Sequence, residues 1–192
     1  ENNQAIEGNA LKKIRVLSGF LALLIIIAGL RFGCMACVSF LYPLRYEEEI
    51  RQSAEEYQLD PYLVMAMVKT ESNFNLRAHS GVARGLMQLT DSTAQWIAEK
   101  MGIEFQPEDV ENPALNIQMG CYYLRYLLDY YNNEDLALAA YNAGMGNVTS
   151  WLSDERYSKN QKELSKIPFA ETENYVKKIE RFYRVYSYLY SK

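Results

Sequence analysis

Between Val16 and Leu44 the chain carries one charge. Residues Val16 to Leu30 read VLSGFLALLIIIAGL, Arg31 follows, and Phe32 to Leu44 are again uncharged. The run exceeds the roughly 20 apolar residues that a helix needs to cross a bilayer. Lys12, Lys13 and Arg15 stand before it, and Arg45 followed by Glu47, Glu48 and Glu49 stands after it. Because basic flanks are retained in the cytoplasm, this asymmetry predicts a single-pass segment with the N-terminus inside. The expected division is a short cytoplasmic tail at 1–15, a transmembrane anchor region at 16–44 in the cytoplasmic membrane, and an extracytoplasmic domain at 45–192. A cleaved signal peptide shares the positive start and apolar run, but its core is shorter, which favours an uncleaved anchor. Arg31 is costly inside a bilayer unless its long side chain reaches an interface.

The 148 residues beyond Leu44 suffice for one core, and 192 residues leave no room for two large domains. A formal net charge of −4, a pI near 5.2 and the lack of a basic run interleaved with aromatics argue against nucleic acid as a partner. Of the three cysteines, Cys34 and Cys37 lie in the apolar run and Cys121 stands alone, so the outer domain can form no internal disulfide. Cys34 and Cys37 have metal-ligand spacing, yet Phe32, Met35, Val38 and Phe40 surround them and no second ligand pair follows, so no metal is expected. The residues before them fit a lipidation site poorly.

The outer domain reads as all-α. No run of alternating strand residues, internal repeat or low-complexity linker interrupts it. A charged helix spans Arg45 to Gln58. Asp60-Pro61 and Asn112-Pro113 each place a capping side chain before a first-turn proline, which starts helices reaching Glu71 and about Tyr131. Further helices cover Asp91 to Met101, stopped by Gly102, and Glu134 to Ala143, stopped by Gly144 and Gly146, with a short one around Trp151. In the last, Glu171 to Tyr190, Tyr175, Ile179, Phe182, Tyr186 and Leu189 recur at helical spacing and form a core-facing stripe.

Glu71 stands out because of what precedes it. Val64, Met67 and Val68 lie seven, four and three residues earlier and put Glu71 on their apolar face. A carboxylate partly withdrawn from water at the negative end of a helix has its pKa raised, and such a group can hold a proton near neutral pH and donate it. A small drift in helical phase would instead turn Glu71 into solvent, the commoner fate of a glutamate.

Four segments decide between these readings: Glu71-Ser72-Asn73-Phe74-Asn75, Gly85-Leu86-Met87-Gln88-Leu89, Ala140-Tyr141-Asn142-Ala143-Gly144 and Glu171-Thr172-Glu173-Asn174-Tyr175-Val176. Each alone is weak. In this order and spacing, from about Tyr46 to Tyr190, they resemble the lytic transglycosylase SLT-domain family, related in fold to goose-type lysozyme. The resemblance implies a lysozyme-like helical domain with Glu71 as the single catalytic acid/base. Ser72, Ser80, Gln88, Tyr141, Asn142 and Tyr175 fall on the family's substrate-groove positions, Ser80 on a serine thought to contact the sugar's N-acetyl group. Two departures stand out. The segment from Ser80 to Gly85 is one residue short with Val82 where the family has glycine, and Thr90 replaces a methionine.

The resemblance also implies the reaction. A typical glycosidase needs two carboxylates, whereas the motifs supply one, and Asp60, Asp91 and Asp129 read as caps or surface residues. In the family the N-acetyl group of the muramoyl residue assists departure. Its C6 hydroxyl then attacks its own C1, leaving a 1,6-anhydromuramoyl end without cofactor, metal or consumed water. Peptidoglycan glycan strands are the implied partner. Three alternatives stay open: a hydrolase of the same bond, a non-catalytic peptidoglycan-binding protein, and a wall-opening component of envelope machinery such as a secretion apparatus.

Overall fold

The computed structural model describes the backbone of residues 2–191 and the side chains of residues 17–191. The side chains of the expected cytoplasmic tail, Lys12, Lys13 and Arg15 among them, lie outside the described residues. The chain forms two compact units that divide between Pro43 and Leu44.

The first unit is a single helix, α1 (Asn2–Leu41). Its segment Leu17–Leu41 has a mean hydropathy of 2.4 and buries nothing inside the protein, and among the described residues it is the one helix long and apolar enough to cross a membrane. At about 1.5 Å per residue, 25 residues outreach the roughly 30 Å hydrocarbon layer.

The second unit is helical, with α2 (Glu47–Glu56), α3 (Pro61–Ser72), α4 (Asp91–Met101), α5 (Pro113–Tyr131), α6 (Glu134–Ala143), α7 (Met145–Leu152) and α8 (Ala170–Tyr190), plus a 3-10 turn at Pro107–Glu111. Capping residues set most boundaries. Asp60 accepts from the Tyr62 amide and Asn112 from the Leu115 amide, each before a proline that lacks the amide a first turn leaves unpaired. Asn133 likewise caps α6. The first helix of this unit is shorter than its charged pattern implies, because Tyr46 and Gln58 take left-handed backbone at either end.

α3 is the centre of the core. Leu63 through Val68 are all buried, so the helix is enclosed on every side, by α8 and α2 among others. α5 packs on α2 and α6, and α6 packs in turn on α8. Tyr175, Ile179, Phe182 and Tyr186 of the expected α8 stripe are buried, and Leu189 is half-buried.

Three two-residue strands, β1 (His79–Ser80), β2 (Ala83–Arg84) and β3 (Leu89–Thr90), form an antiparallel sheet between α3 and α4, pairing Ser80 with Ala83 and Arg84 with Leu89. Strands this short have no readable alternation. Gly81 and Val82 close the β1–β2 hairpin, and Gly81, at φ +61°, takes the left-handed conformation at the first turn position. That accounts for the shortened segment. With Gly81 bearing the left-handed backbone, Val82 need not be glycine.

Candidate active site

Glu71 occupies the last turn of α3, where the core opens to the surface, and keeps only part of its surface exposed. Burial dominates its electrostatics and pushes the carboxyl up to about 7, against weaker downward pulls from a hydrogen bond to Tyr175 and the charge of Lys178. Directly after it the backbone reverses through two left-handed residues, Asn73 and Phe74. A bulky residue at φ +60° is strained, and Phe74 is held there by burial against Tyr186, with ring centroids 6.4 Å apart.

α8 supplies the partner of the carboxyl. The Tyr175 phenol donates to Glu71 Oε1 at 2.5 Å. Its own pKa is driven well up by burial and by the facing carboxylate, so it remains a donor. α6 supplies a second phenol. Tyr141 lies in the field of Glu71, is likewise pushed up by burial and by that charge, and donates to the Met87 carbonyl at 3.0 Å.

Met87 belongs to a loop fixed by one buried amide. Asn116 of α5, fully buried, accepts from the Met87 amide at 2.8 Å and donates to the Val110 and Arg84 carbonyls at 3.0 and 3.4 Å. Gly85, at φ +83°, passes so close that a Cβ there would lie 2.3 Å from Asn116 Nδ2. The adjoining Gln88, itself left-handed, donates to the Ala78 and Gly85 carbonyls and accepts from Ser80 Oγ at 2.5 Å. A continuous bonded path therefore runs from Ser80 through Gln88 and Met87 to Tyr141, which faces Glu71.

The remaining candidates separate. Asn142 is exposed and accepts from Thr172 at 2.7 Å, one turn before Tyr175 on α8. Ser72 is buried, and its hydroxyl returns to the Val68 carbonyl at 3.1 Å, bracing the end of α3. Thr90 caps α4 by accepting from the Thr93 amide, a task methionine cannot perform. Asp60 caps α3 and accepts from Tyr183, while Asp91 and Asp129 pair with Arg84 and Arg125. Among the described residues no three acidic, histidine or cysteine side chains gather as a metal site.

Asn116, Thr172 and Lys178 were not singled out from the sequence. A polar Asn116 four residues before Gly120, with Ile117 and Met119 between, was the available signal for the first. Gly120 leaves no space for a Cβ against Met87 Sδ, 2.3 Å away.

A family model described as the transglycosylase SLT domain matches residues 48–164. The chain belongs to this family. This SLT domain is 36% identical over 159 residues to a putative soluble lytic murein transglycosylase of Haemophilus influenzae, a match covering 81% of the chain and 27% of the relative. It is 32% identical over 152 residues to the soluble lytic murein transglycosylase of Escherichia coli K12, covering 77% and 24%. An inactive variant of lytic transglycosylase Slt from Pseudomonas aeruginosa superposes with a TM-score of 0.69 at 31% identity over 79% of this chain and 25% of that one. The chain thus spans about a quarter of the length of these relatives. The helical architecture is that of the family. What the geometry of this SLT domain offers is one protonatable carboxyl near neutral pH, oriented by a phenol and bordered by a braced loop.

Proposed function

We propose that this SLT domain is a peptidoglycan lytic transglycosylase, cleaving the MurNAc-β-1,4-GlcNAc bond with formation of a 1,6-anhydroMurNAc end. The observation that carries the reading is Glu71, whose carboxyl is raised to about 7 by burial and oriented by Tyr175. At neutral pH a large fraction of that carboxyl is protonated, as an acid that must donate to a glycosidic oxygen requires. The names of the relatives as lytic murein transglycosylases support the same chemistry.

In this scheme Glu71 gives its proton to the departing oxygen as the C1–O4 bond breaks. The C6 hydroxyl of the same muramoyl residue forms the new bond to C1 and returns its proton to Glu71. The intramolecular nucleophile has a high effective concentration, which favours it over water. Tyr175 holds the carboxyl in place, and Tyr141 walls it from the α6 side. Ser80, Gln88 and Asn142 border the sugar path, and Ser72 supports the backbone beneath Glu71. In this reading the domain is anchored at the cytoplasmic membrane with the N-terminus inside and residues 45–192 outside, which the apolar Leu17–Leu41 segment and the basic residues before it support.

The test uses the full chain in detergent micelles, with a Glu71→Gln variant beside it. Released muropeptides from purified peptidoglycan are read by mass spectrometry. Anhydro-ended fragments from the native chain and none from the variant are the expected result. Reducing-end products would make the domain a hydrolase of the same bond, and no release by folded protein would remove the catalytic reading.

A further inference from the structure

The face of α8 that holds Glu71 holds a second cleft residue one turn earlier. Thr172 and Tyr175 are three residues apart, so their side chains leave α8 on the same side. Tyr175 donates to the Glu71 carboxyl, and Thr172 Oγ1 donates to Asn142 Oδ1 at 2.7 Å. Asn142 directly follows Tyr141, the phenol that lies in the field of Glu71. The end of α6 and the end of α3 are thus tied to adjacent turns of one helix.

The bond from Thr172 decides which way the Asn142 amide faces. Thr172 is 2% exposed, and its hydroxyl carries one hydrogen. Among the described residues, Asn142 Oδ1 is the acceptor that this hydrogen finds. Turning the amide over would set Nδ2 against the hydroxyl oxygen and leave a buried hydroxyl hydrogen without an acceptor, which is unfavourable. With Oδ1 held by Thr172, the two Nδ2 hydrogens face away from α8. Asn142 is exposed, and among the described residues its Nδ2 donates to no protein acceptor. Other hydroxyls of this domain behave differently. Ser72 and Ser153 each return theirs to the carbonyl four residues earlier. Thr172 instead crosses to α6, although the first turn of α8 has no side-chain cap of its own.

We propose that Thr172 is a positioning residue that locks Asn142 as a hydrogen-bond donor toward the cleft, where it takes an acceptor oxygen of the bound sugar beside Glu71. The inference rests on the peptidoglycan reading above and assigns Thr172 a role that the packing of α8 alone does not require.

The experiment is a double-substitution cycle on the full chain in detergent micelles. Thr172→Val keeps the shape and deletes the hydroxyl, Thr172→Ser keeps the hydroxyl, and Asn142→Ala removes the amide alone and together with Thr172→Val. Steady-state release of anhydro-ended products from soluble glycan strands gives kcat and KM, at a temperature where urea unfolding shows every variant folded. Thr172→Val is expected to raise KM about tenfold, the scale of one hydrogen bond, and to leave kcat within about twofold. Thr172→Ser restores KM to within about threefold of the native chain. In the Asn142→Ala background Thr172→Val causes no further change, because the amide through which it acts is gone. The alkaline limb of the pH–rate profile stays in place throughout.

A native KM for Thr172→Val, a serine variant no better than valine, or a further loss in the Asn142→Ala background overturns the inference. So does a lower kcat with a moved alkaline limb, which would mean that the hydroxyl only braces α8 and thereby Tyr175. No release by the native chain overturns the peptidoglycan reading together with the inference, whereas release indifferent to Thr172 overturns the inference alone.

Discussion

The Tyr175 hydroxyl reaches Glu71 Oε1 at 2.5 Å across more than a hundred residues of sequence, from the first turns of α8 to the last turn of α3. The bond holds the carboxyl in one orientation and opposes the rise in pKa that burial imposes. Tyr175→Phe keeps the packing and deletes the donor. Glu71 then titrates higher than about 7, so the alkaline limb of the pH–rate profile, where the acid loses its proton, moves upward by about one unit. The rate at neutral pH falls by about 10- to 100-fold because the carboxyl is no longer aimed. A pH–rate profile of muropeptide release checks both. An unshifted alkaline limb would remove Tyr175 from the proton chemistry.

Stability carries the same information with opposite sign. Folding raises the Glu71 pKa from 4.5 to about 7, so the folded state binds the proton more tightly than the unfolded one. Below the unfolded pKa the group is protonated in both states and imposes no ionisation cost. The cost grows between pH 4.5 and about 7 and is complete above, at roughly 3 kcal/mol as an upper figure. Glu71→Gln, neutral throughout, stabilises the domain at pH 8 and leaves it nearly unchanged at pH 4. Urea unfolding of the full chain in micelles, followed by fluorescence of Trp96 and Trp151, measures the difference. A variant less stable than the native chain at pH 8 would show that burial does not raise this pKa.

Much of the fold was legible because its boundaries are written locally. The ends expected for α4 and α6 coincide with Asp91–Met101 and Glu134–Ala143, and Asp60-Pro61 and Asn112-Pro113 start helices where cap and proline place them. The partial exposure of Glu71 was readable only through Val64, Met67 and Val68, although α3 is in fact buried all round from Leu63 to Val68. What failed to show was tertiary. Two-residue strands have no period, and nothing near Asn116 in the sequence says that its amide meets Met87, twenty-nine residues earlier. Tyr175 could be placed in the core stripe by spacing and at a groove position by resemblance. Its bond to Glu71 needed the packing of α8 on α3.

Asn116→Leu tests the buried amide. The leucine fills a similar volume but strands the Met87 amide and the Val110 carbonyl without their partners. Leaving a buried polar group unpaired costs about 1–3 kcal/mol, so the two together give a loss of about 2–6 kcal/mol. Because the Met87 carbonyl anchors Tyr141, cleavage also falls when assayed at temperatures where the variant remains folded. Chemical denaturation and muropeptide release check the two effects, and a variant with native stability would mean that the loop is held by other contacts.

The cost of crowding at this loop can be separated from the cost of backbone conformation by pairing two glycines. Gly85 and Gly102 both have positive φ, +83° and +68°, so alanine at either bears the left-handed penalty of about 1–2 kcal/mol. At Gly102, the cap of α4, a Cβ meets nothing within 4 Å and that penalty is the whole cost. At Gly85 the same atom would sit 2.3 Å from Asn116 Nδ2 and 2.8 Å from the Val110 carbonyl, where it must displace the amide that holds Met87. Gly85→Ala is therefore the more damaging by about 1–3 kcal/mol. It also lowers activity through Met87 and Tyr141, whereas Gly102→Ala leaves activity at the native level. Parallel unfolding and muropeptide assays of the two variants measure the contrast. Equal losses of stability would show that the Gly85 backbone alone, and not its contact with Asn116, requires glycine.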